Sequence, residues 1–240
     1  MAPYLELAPP PHLADSVECF WTMHAEESLR HRVPPDGCAD ILFTRDSQPS
    51  LVVVGTMTNY EDFHIRSGQL LVGVRFRPGM CGTHFGVPAP EITDARLPLE
   101  DLWGGNARIL LEQLAAARSW QRCVSLLAQN LRPFQPRTPL QRALAELEAN
   151  PQFVSLDDVA FRSGLSARQF RRVCIQQAGI SPKFLARVLR FRMALAQVRC
   201  QAGEHAGLAA DCGYFDQSHF IAEFQRFAGQ TPAAYLRSFR

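Results

Sequence analysis

No stretch of this 240-residue chain is long and apolar enough to cross a bilayer, and Met1-Ala2-Pro3-Tyr4-Leu5-Glu6 lacks the basic segment and apolar core of a leader. A cytoplasmic location is therefore expected. The chain has no glycine-rich phosphate loop, no G-x-S-x-G and no dinucleotide fingerprint, so the common nucleotide-dependent and serine-hydrolase chemistries have no anchor. Its seven cysteines are odd in number and scattered, with neither C-x-x-C nor zinc-like spacing, which reads as reduced thiols. No H-x-H pair exists, and His24, His31, His64 and His84 fall at no spacing that favours a metal. They read as core or surface histidines, and neither a metal nor a cofactor is expected.

Lysine is nearly absent too. Residues 1–137 hold 12 Arg and no Lys against 15 Asp and Glu, a balance of −3. Residues 138–240 hold 12 Arg and one Lys against 8 acids, a balance of +5. The net charge of +2 hides this division, and the excess on the second half is where a nucleic-acid binder would carry it.

The first hundred residues read as β. Phe20-Trp21-Thr22-Met23, Ile41-Leu42-Phe43, Leu51 to Val54 and Leu70 to Phe76 are strand candidates. They are separated by turn signals at Pro34 to Gly37, Asp46 to Pro49, Ser67-Gly68 and Arg77-Pro78-Gly79. A small sandwich or barrel follows. From about 99 to 131 the period changes to helical, with Leu110, Leu111, Leu114, Ala117, Val124, Leu127 and Leu131 on one stripe and a break near Ser119. The stripe reads as core packing, with dimerisation as the second use. The prolines of Arg132 to Pro139 interrupt any helix and mark a linker.

What the chain does have is an internal repeat. Ser166, Phe170, Gly179 and Pro182 recur 50 residues later as Asp216, Phe220, Gly229 and Pro232. Each copy reads as a helix-turn-helix in which Gly164 or Gly213 makes the turn, Ser166 or Asp216 caps the second helix, and Gly179 or Gly229 ends it. Gln169 completes a capping box behind Ser166, and the second copy carries one extra turn residue. A helix from Lys183 to about Gln201 joins the copies.

Gly164-Leu165-Ser166-Ala167-Arg168-Gln169-Phe170-Arg171-Arg172, Gly179-Ile180-Ser181-Pro182-Lys183, Gly213 to Phe220 and Thr231 to Tyr235 resemble the DNA-binding domain of the AraC/XylS transcription regulators over about 100 residues. Pro35 to Ile41 and Gly73 to Gly79 further resemble a β-rich sensor domain found in some members of that family. The resemblance implies an α+β chain: a β barrel or sandwich of cupin-like form with trailing helices at 1–131, a linker at 132–139, and an all-α domain with two helix-turn-helix motifs at 140–240. It also implies that the second helix of each motif enters a major groove of promoter DNA. RNA polymerase, an unidentified small-molecule effector and a second copy of the chain are further expected partners, and a membrane is not.

In the first motif, Arg168, Arg171 and Arg172 fall opposite Phe170, Val173 and Cys174, where arginine can bond a guanine edge or a phosphate. In the second, Gln217, Ser218 and His219 occupy the corresponding early turn, with Ile221, Ala222 and Gln225 further along, and Gln217, Ser218, His219 and Gln225 are its DNA-contact candidates. There Ala222 stands where the family often has arginine and Glu223 follows it, so weak base reading by the second motif is expected. Cys174 reads as a small core residue. Trp21, His24, Asp40 and Arg75 are candidates to hold an effector, in a pocket lined also by Phe20, Phe43 and Phe76. Turn chemistry and an internal ion pair explain Asp36, Asp40, Arg75 and Arg77 equally well. A thiol alkyl-acceptor enzyme fused to the DNA-binding domain is the alternative from another class.

Overall fold

A computed structural model describes residues 4–132, 138–152, 155–200 and 207–237. Most of the expected linker, at 133–137, lies outside the described residues. Eight strands come first: β1 Tyr4–Leu7, β2 Val17–His24, β3 Leu29–Val33, β4 Ala39–Arg45, β5 Ser50–Val54, β6 Glu61–Ile65, β7 Leu70–Phe76 and β8 Arg96–Pro98. A short helix α1, Cys81–Phe85, sits between β7 and β8. After β8 come α2 Glu100–Trp103, α3 Gly105–Ala116 and α4 Trp120–Asn130. The C-terminal part is all helix: α5 Pro139–Ala149, α6 Leu156–Arg162, α7 Ala167–Ala178, α8 Pro182–Cys200, α9 Leu208–Asp211, α10 Gln217–Ala228 and α11 Pro232–Arg237.

The strands make an open antiparallel sheet in the order β1-β2-β7-β4-β5-β8, and β3 pairs with β6 as a separate ribbon. Alternation sorts the side chains onto two faces. One face carries Phe20, Ile41, Phe43, Val53, Val72, Val74 and Phe76 against Leu110, Leu114, Leu126 and Leu127 of α3 and α4. Burying each of its large side chains contributes about 1.5–3 kcal/mol. Ser119 caps α4 by accepting from the Arg122 amide, which is why the helical stripe breaks there. The other face places Met23, Leu42, Val54 and Leu71 under Leu29, Val33, Phe63 and Ile65 of the ribbon. The molecule is thus a sandwich, and the leucine stripe of α3 and α4 closes its core.

Three strand neighbours meet at one small residue. Trp21 of β2 and Leu42 of β4 both flank Gly73 of β7. A Cβ on residue 73 would stand 2.1 Å from the Trp21 ring, so only glycine lets the indole lie flat on the sheet.

His84 of α1 stacks on Phe76 with ring centres 4.4 Å apart, and its Nε2 finds no partner among the described residues. Burial lowers its pKa to about 4. Between the ordinary histidine value and that figure the unfolded chain takes up a proton that the folded protein refuses, so stability falls as pH falls through this window. Lowering pH from 7 to 5 should cost the protein roughly 1–2 kcal/mol more than it costs a His84→Phe variant. Urea titrations at both pH values check this, and equal losses in the two proteins would exclude His84 as the source.

Candidate nucleic-acid interface

Both motifs form from local chemistry. Ser166 Oγ accepts from the Gln169 amide at 3.2 Å while Gln169 Oε1 accepts from the Ser166 amide at 2.9 Å, a complete capping box that starts α7. Asp216 accepts from the His219 amide at 2.7 Å and starts α10. The turns close alike: the Leu165 amide donates to Ala160 at 2.9 Å, and the Tyr214 amide donates to Ala209 at 2.8 Å. Tyr214 is therefore the structural equivalent of Leu165. The extra residue of the second turn is Phe215, which is 93% exposed immediately before the cap.

Each motif has its own core. Phe170, Cys174 and Ala178 of α7 pack with Leu140, Leu144, Leu147, Val159, Leu185 and Leu189. Cys174 is a fully buried packing residue whose thiol burial pushes up to about 12. The second core is aromatic. Phe224 of α10 meets Phe191 of α8 at 5.3 Å, Phe220 at 5.7 Å and Tyr235 of α11 at 5.6 Å between ring centres, mostly edge to face. Two arginines tie the turns to their supporting helices. Arg142 of α5 donates to the Ser163 carbonyl at 3.3 Å, and Arg190 of α8 donates to the Gly213 carbonyl at 3.0 Å.

With Phe170, Cys174 and Ala178 turned inward, helical spacing turns Arg168, Arg171 and Arg172 outward. All three are exposed, and among the described residues none is paired with a carboxylate. Three unpaired guanidinium groups give this face of the capped helix an excess of positive charge. On α10, Gln217, Ser218, His219, Ala222 and Gln225 are exposed, and so is Arg226, a cation near the helix end that the sequence reading passed over.

Glu223 corrects that reading. It is 4% exposed and accepts from Arg187 Nε of α8 at 2.7 Å, so it faces the core and presents no negative charge to a phosphate. Arg187 in turn lies 5.5 Å from the Phe227 ring centre. The acid is a bolt between α10 and α8. The signal that could have shown this is its position beside Phe224 on the inward half of the helix.

The four residues expected around an effector separate into three and one. Trp21 Nε1 donates to Asp40 Oδ1 at 2.8 Å, and Arg75 Nε lies 3.7 Å from the same oxygen and 3.2 Å from Asp36. Burial holds the Asp40 carboxyl above its usual range, against the pull of Arg75 and with the push of Asp36. These groups engage one another through one hydrogen bond and two ion pairs, and the buried Arg75 Nε makes no hydrogen bond among the described residues. His24 is exposed at the end of β2, and strand alternation puts it on the opposite face from Trp21. Phe20, Phe43 and Phe76, expected to line a cavity, are fully buried packing residues of the core.

Among the described residues no cluster of His, Cys, Asp and Glu is arranged to hold a metal, and no helix is long and apolar enough to cross a membrane. Residues 5–98 match a domain of unknown function (DUF6597), and residues 159–238 match the helix-turn-helix domain family. The HTH-type transcriptional activator RhaR of Yersinia pestis bv. Antiqua (strain Angola) is 30% identical over 87 residues, which are 36% of this chain and 30% of RhaR. The chain thus spans less than a third of the length of that relative. Among solved structures, the DNA-binding domain of AdpA in complex with a target DNA aligns at 25% identity and a TM-score of 0.40, covering 43% of this chain and 95% of that one. ToxT from Vibrio cholerae aligns at 9% identity and a TM-score of 0.45, covering 98% of each chain. The match at 159–238 and the paired motifs agree that the C-terminal part of the chain is a helix-turn-helix domain.

Proposed function

We propose that this protein is a promoter-binding transcription regulator in which α7 reads bases while α10 chiefly orients the complex. The observation that carries this reading is the exposed, unpaired trio Arg168, Arg171 and Arg172 on a helix whose other face is core. α8 has 19 residues and is about 28 Å long. Major grooves on one face of DNA recur at about 34–36 Å, a span the two motifs reach once their own width is added. Gln217, Ser218, His219 and Gln225 supply uncharged donors and acceptors to the second groove, with Arg226 as a phosphate contact. RhaR is named as an activator, and activation through contact with RNA polymerase is the sign of regulation we propose here. DNA as the target places the protein in the cytoplasm.

In this reading residues 1–131 form the regulatory unit, 132–139 the linker and 140–240 the DNA-binding unit. The regulatory signal, a small effector or a second copy of the chain, acts on the β domain. The alkyl-acceptor alternative is disfavoured by its chemistry. Cys19 and Cys81 are buried with their thiols pushed up to about 12, burial raises Cys38 well above the usual thiol range, and a nucleophilic cysteine needs the thiolate.

Arg171→Ala and Arg172→Ala should each weaken binding to a selected operator by about 1–3 kcal/mol. Their thermal stability should stay within about 0.5 kcal/mol of the parent, as for other exposed helix positions. Mobility shifts and melts on the same samples separate the two effects, and unchanged affinity in both variants would remove α7 as the reading helix.

Glu223→Ala should lower the stability of the full chain by roughly 2 kcal/mol, since it strands Arg187 against the aromatic core. The double change Arg187→Met with Glu223→Leu should recover most of that loss, because it removes both charges together. Urea denaturation distinguishes them. A Glu223→Ala protein as stable as the parent would show that the pair does not secure α10.

A further inference from the structure

The glycines that end the two recognition helices, Gly179 and Gly229, share a property that a helix end does not demand. Both have positive φ, +77° and +69°, as such ends commonly do. Both are also pressed by the β domain. A Cβ at 179 would stand 2.0 Å from Thr93 Oγ1, and a Cβ at 229 would stand 2.6 Å from Arg32 Nη1 and 2.7 Å from the Tyr60 ring. The glycines of the two turns lack this feature: Gly164 has nothing within 4 Å, and Gly213 meets only Gln152 of its own domain.

The polar groups at the two contacts are aimed at helix ends. Thr93 Oγ1 lies 2.9 Å from the Ala89 carbonyl and 3.4 Å from that of Gly179. Arg32 is gripped by Asp62 at 2.8 and 2.9 Å and lies 4.3 Å from the centre of the Tyr60 ring, which leaves Nη1 3.5 Å from the Gly229 carbonyl. A fixed cation there complements the negative end of α10. Between these contacts the middle of α8 is also held. Arg192 donates to the Asp36 carbonyl at 3.2 Å and pairs with Glu18, while Leu185 faces Gly37. The β domain therefore touches the end of α7, the middle of α8 and the end of α10.

We propose that the β domain is a splint for the two motifs. Arg32, Thr93 and the Glu18–Asp36 seat of Arg192 are positioning residues that hold the recognition helices at one separation, and so select the spacing between half-sites. This rests on the DNA-binding reading above. The need for support is geometric. The two motif cores are joined through α8, and long helices curve with radii of roughly 60–100 Å. Over about 28 Å such curvature moves one end sideways by about 4–7 Å while leaving the length of α8 nearly unchanged. One base step is about 3.4 Å, so the direction in which α8 carries the second motif must be fixed for the two recognition helices to register with one spacing.

The test uses the full chain and the Arg32→Ala/Thr93→Ala double variant, with the milder Thr93→Ala as a second variant and thermal melts to establish folding. Duplexes are selected from a random pool on the parent protein. One base pair is then inserted or deleted between the half-sites. The parent should lose about tenfold in affinity for each change, the usual penalty of one wrong base pair, and the double variant about threefold or less. Affinity for a single half-site should be the same in both proteins. Nitroxides carried by unnatural amino acids at positions 172 and 225 should give a narrow distance distribution in the parent and a broad one in the variant. Equal spacing penalties with equal distance distributions overturn the splint. Tighter binding of the variant at every spacing also overturns it, because the contacts would then be an inhibitory clasp. A parent that enriches no duplex removes the DNA-binding reading, and the label distances still decide the splint.

Discussion

One helix has to satisfy three neighbours, and the rest of the architecture follows from how α8 divides its surface. Leu185 and Leu189 enter the first motif's core, whereas Phe191, Ala194, Leu195 and Val198 enter the second's. Arg192 points away from both and reaches the β domain. A helix used on so many sides has little room for a solvent face. Its arginines are accordingly engaged: Arg187 with Glu223, Arg190 with the Gly213 carbonyl, Arg199 with the Tyr235 hydroxyl at 2.8 Å. The arginines that look like a basic stripe on α8 are structural, and those of α7 are free.

The contrast rests on burial. Glu223 beside Phe224 is shielded from water, where an unpaired charge costs several kcal/mol, so it requires Arg187. Arg168, Arg171 and Arg172 stand in water, where surface pairing contributes at most about 1 kcal/mol, and they can exchange solvent for a nucleic-acid partner. The polar turn Asp36 to Cys38 sits between these two regimes. The Asp36 carboxylate pairs with Arg75 on the sheet, and its carbonyl receives Arg192 from α8. The Cys38 thiol donates to Glu18 at 3.0 Å, and the Glu18 carboxyl stays below its usual range because Arg192 and that thiol outweigh the effect of burial. The segment that resembles a sensor motif thus lies where the two domains meet.

Much of this was legible in the chain. Strands β2, β4, β5 and β7 announce themselves by apolar runs between turn signals. The caps at Ser119, Thr138, Ser166 and Asp216 bond amides three residues away, within reach of any sequence reading. Strands β1, β3, β6 and β8 were missed for a physical reason. They lack an uninterrupted apolar run, as Glu61-Asp62-Phe63-His64-Ile65 shows, and they become strands through their partners. Trp21, Asp40 and Arg75 lie together in the structure, but as a hydrogen bond and an ion pair among themselves, which a list of polar and aromatic residues cannot distinguish from a pocket.

By itself the sequence determined the two motifs, their caps, the inward and outward faces of α7 and the β character of the first hundred residues. Each rests on interactions within a few positions or on a period of 2 or 3.6 residues. Only the tertiary structure decided that Glu223 belongs to Arg187, 36 positions earlier, and that Gly179 and Gly229 lie against Thr93 and Arg32. The separation in sequence between Arg32 and Gly229 is 197 residues. A contact over that distance leaves no periodic trace, because it is set by how whole elements pack and not by the dihedral preferences of the residues that meet.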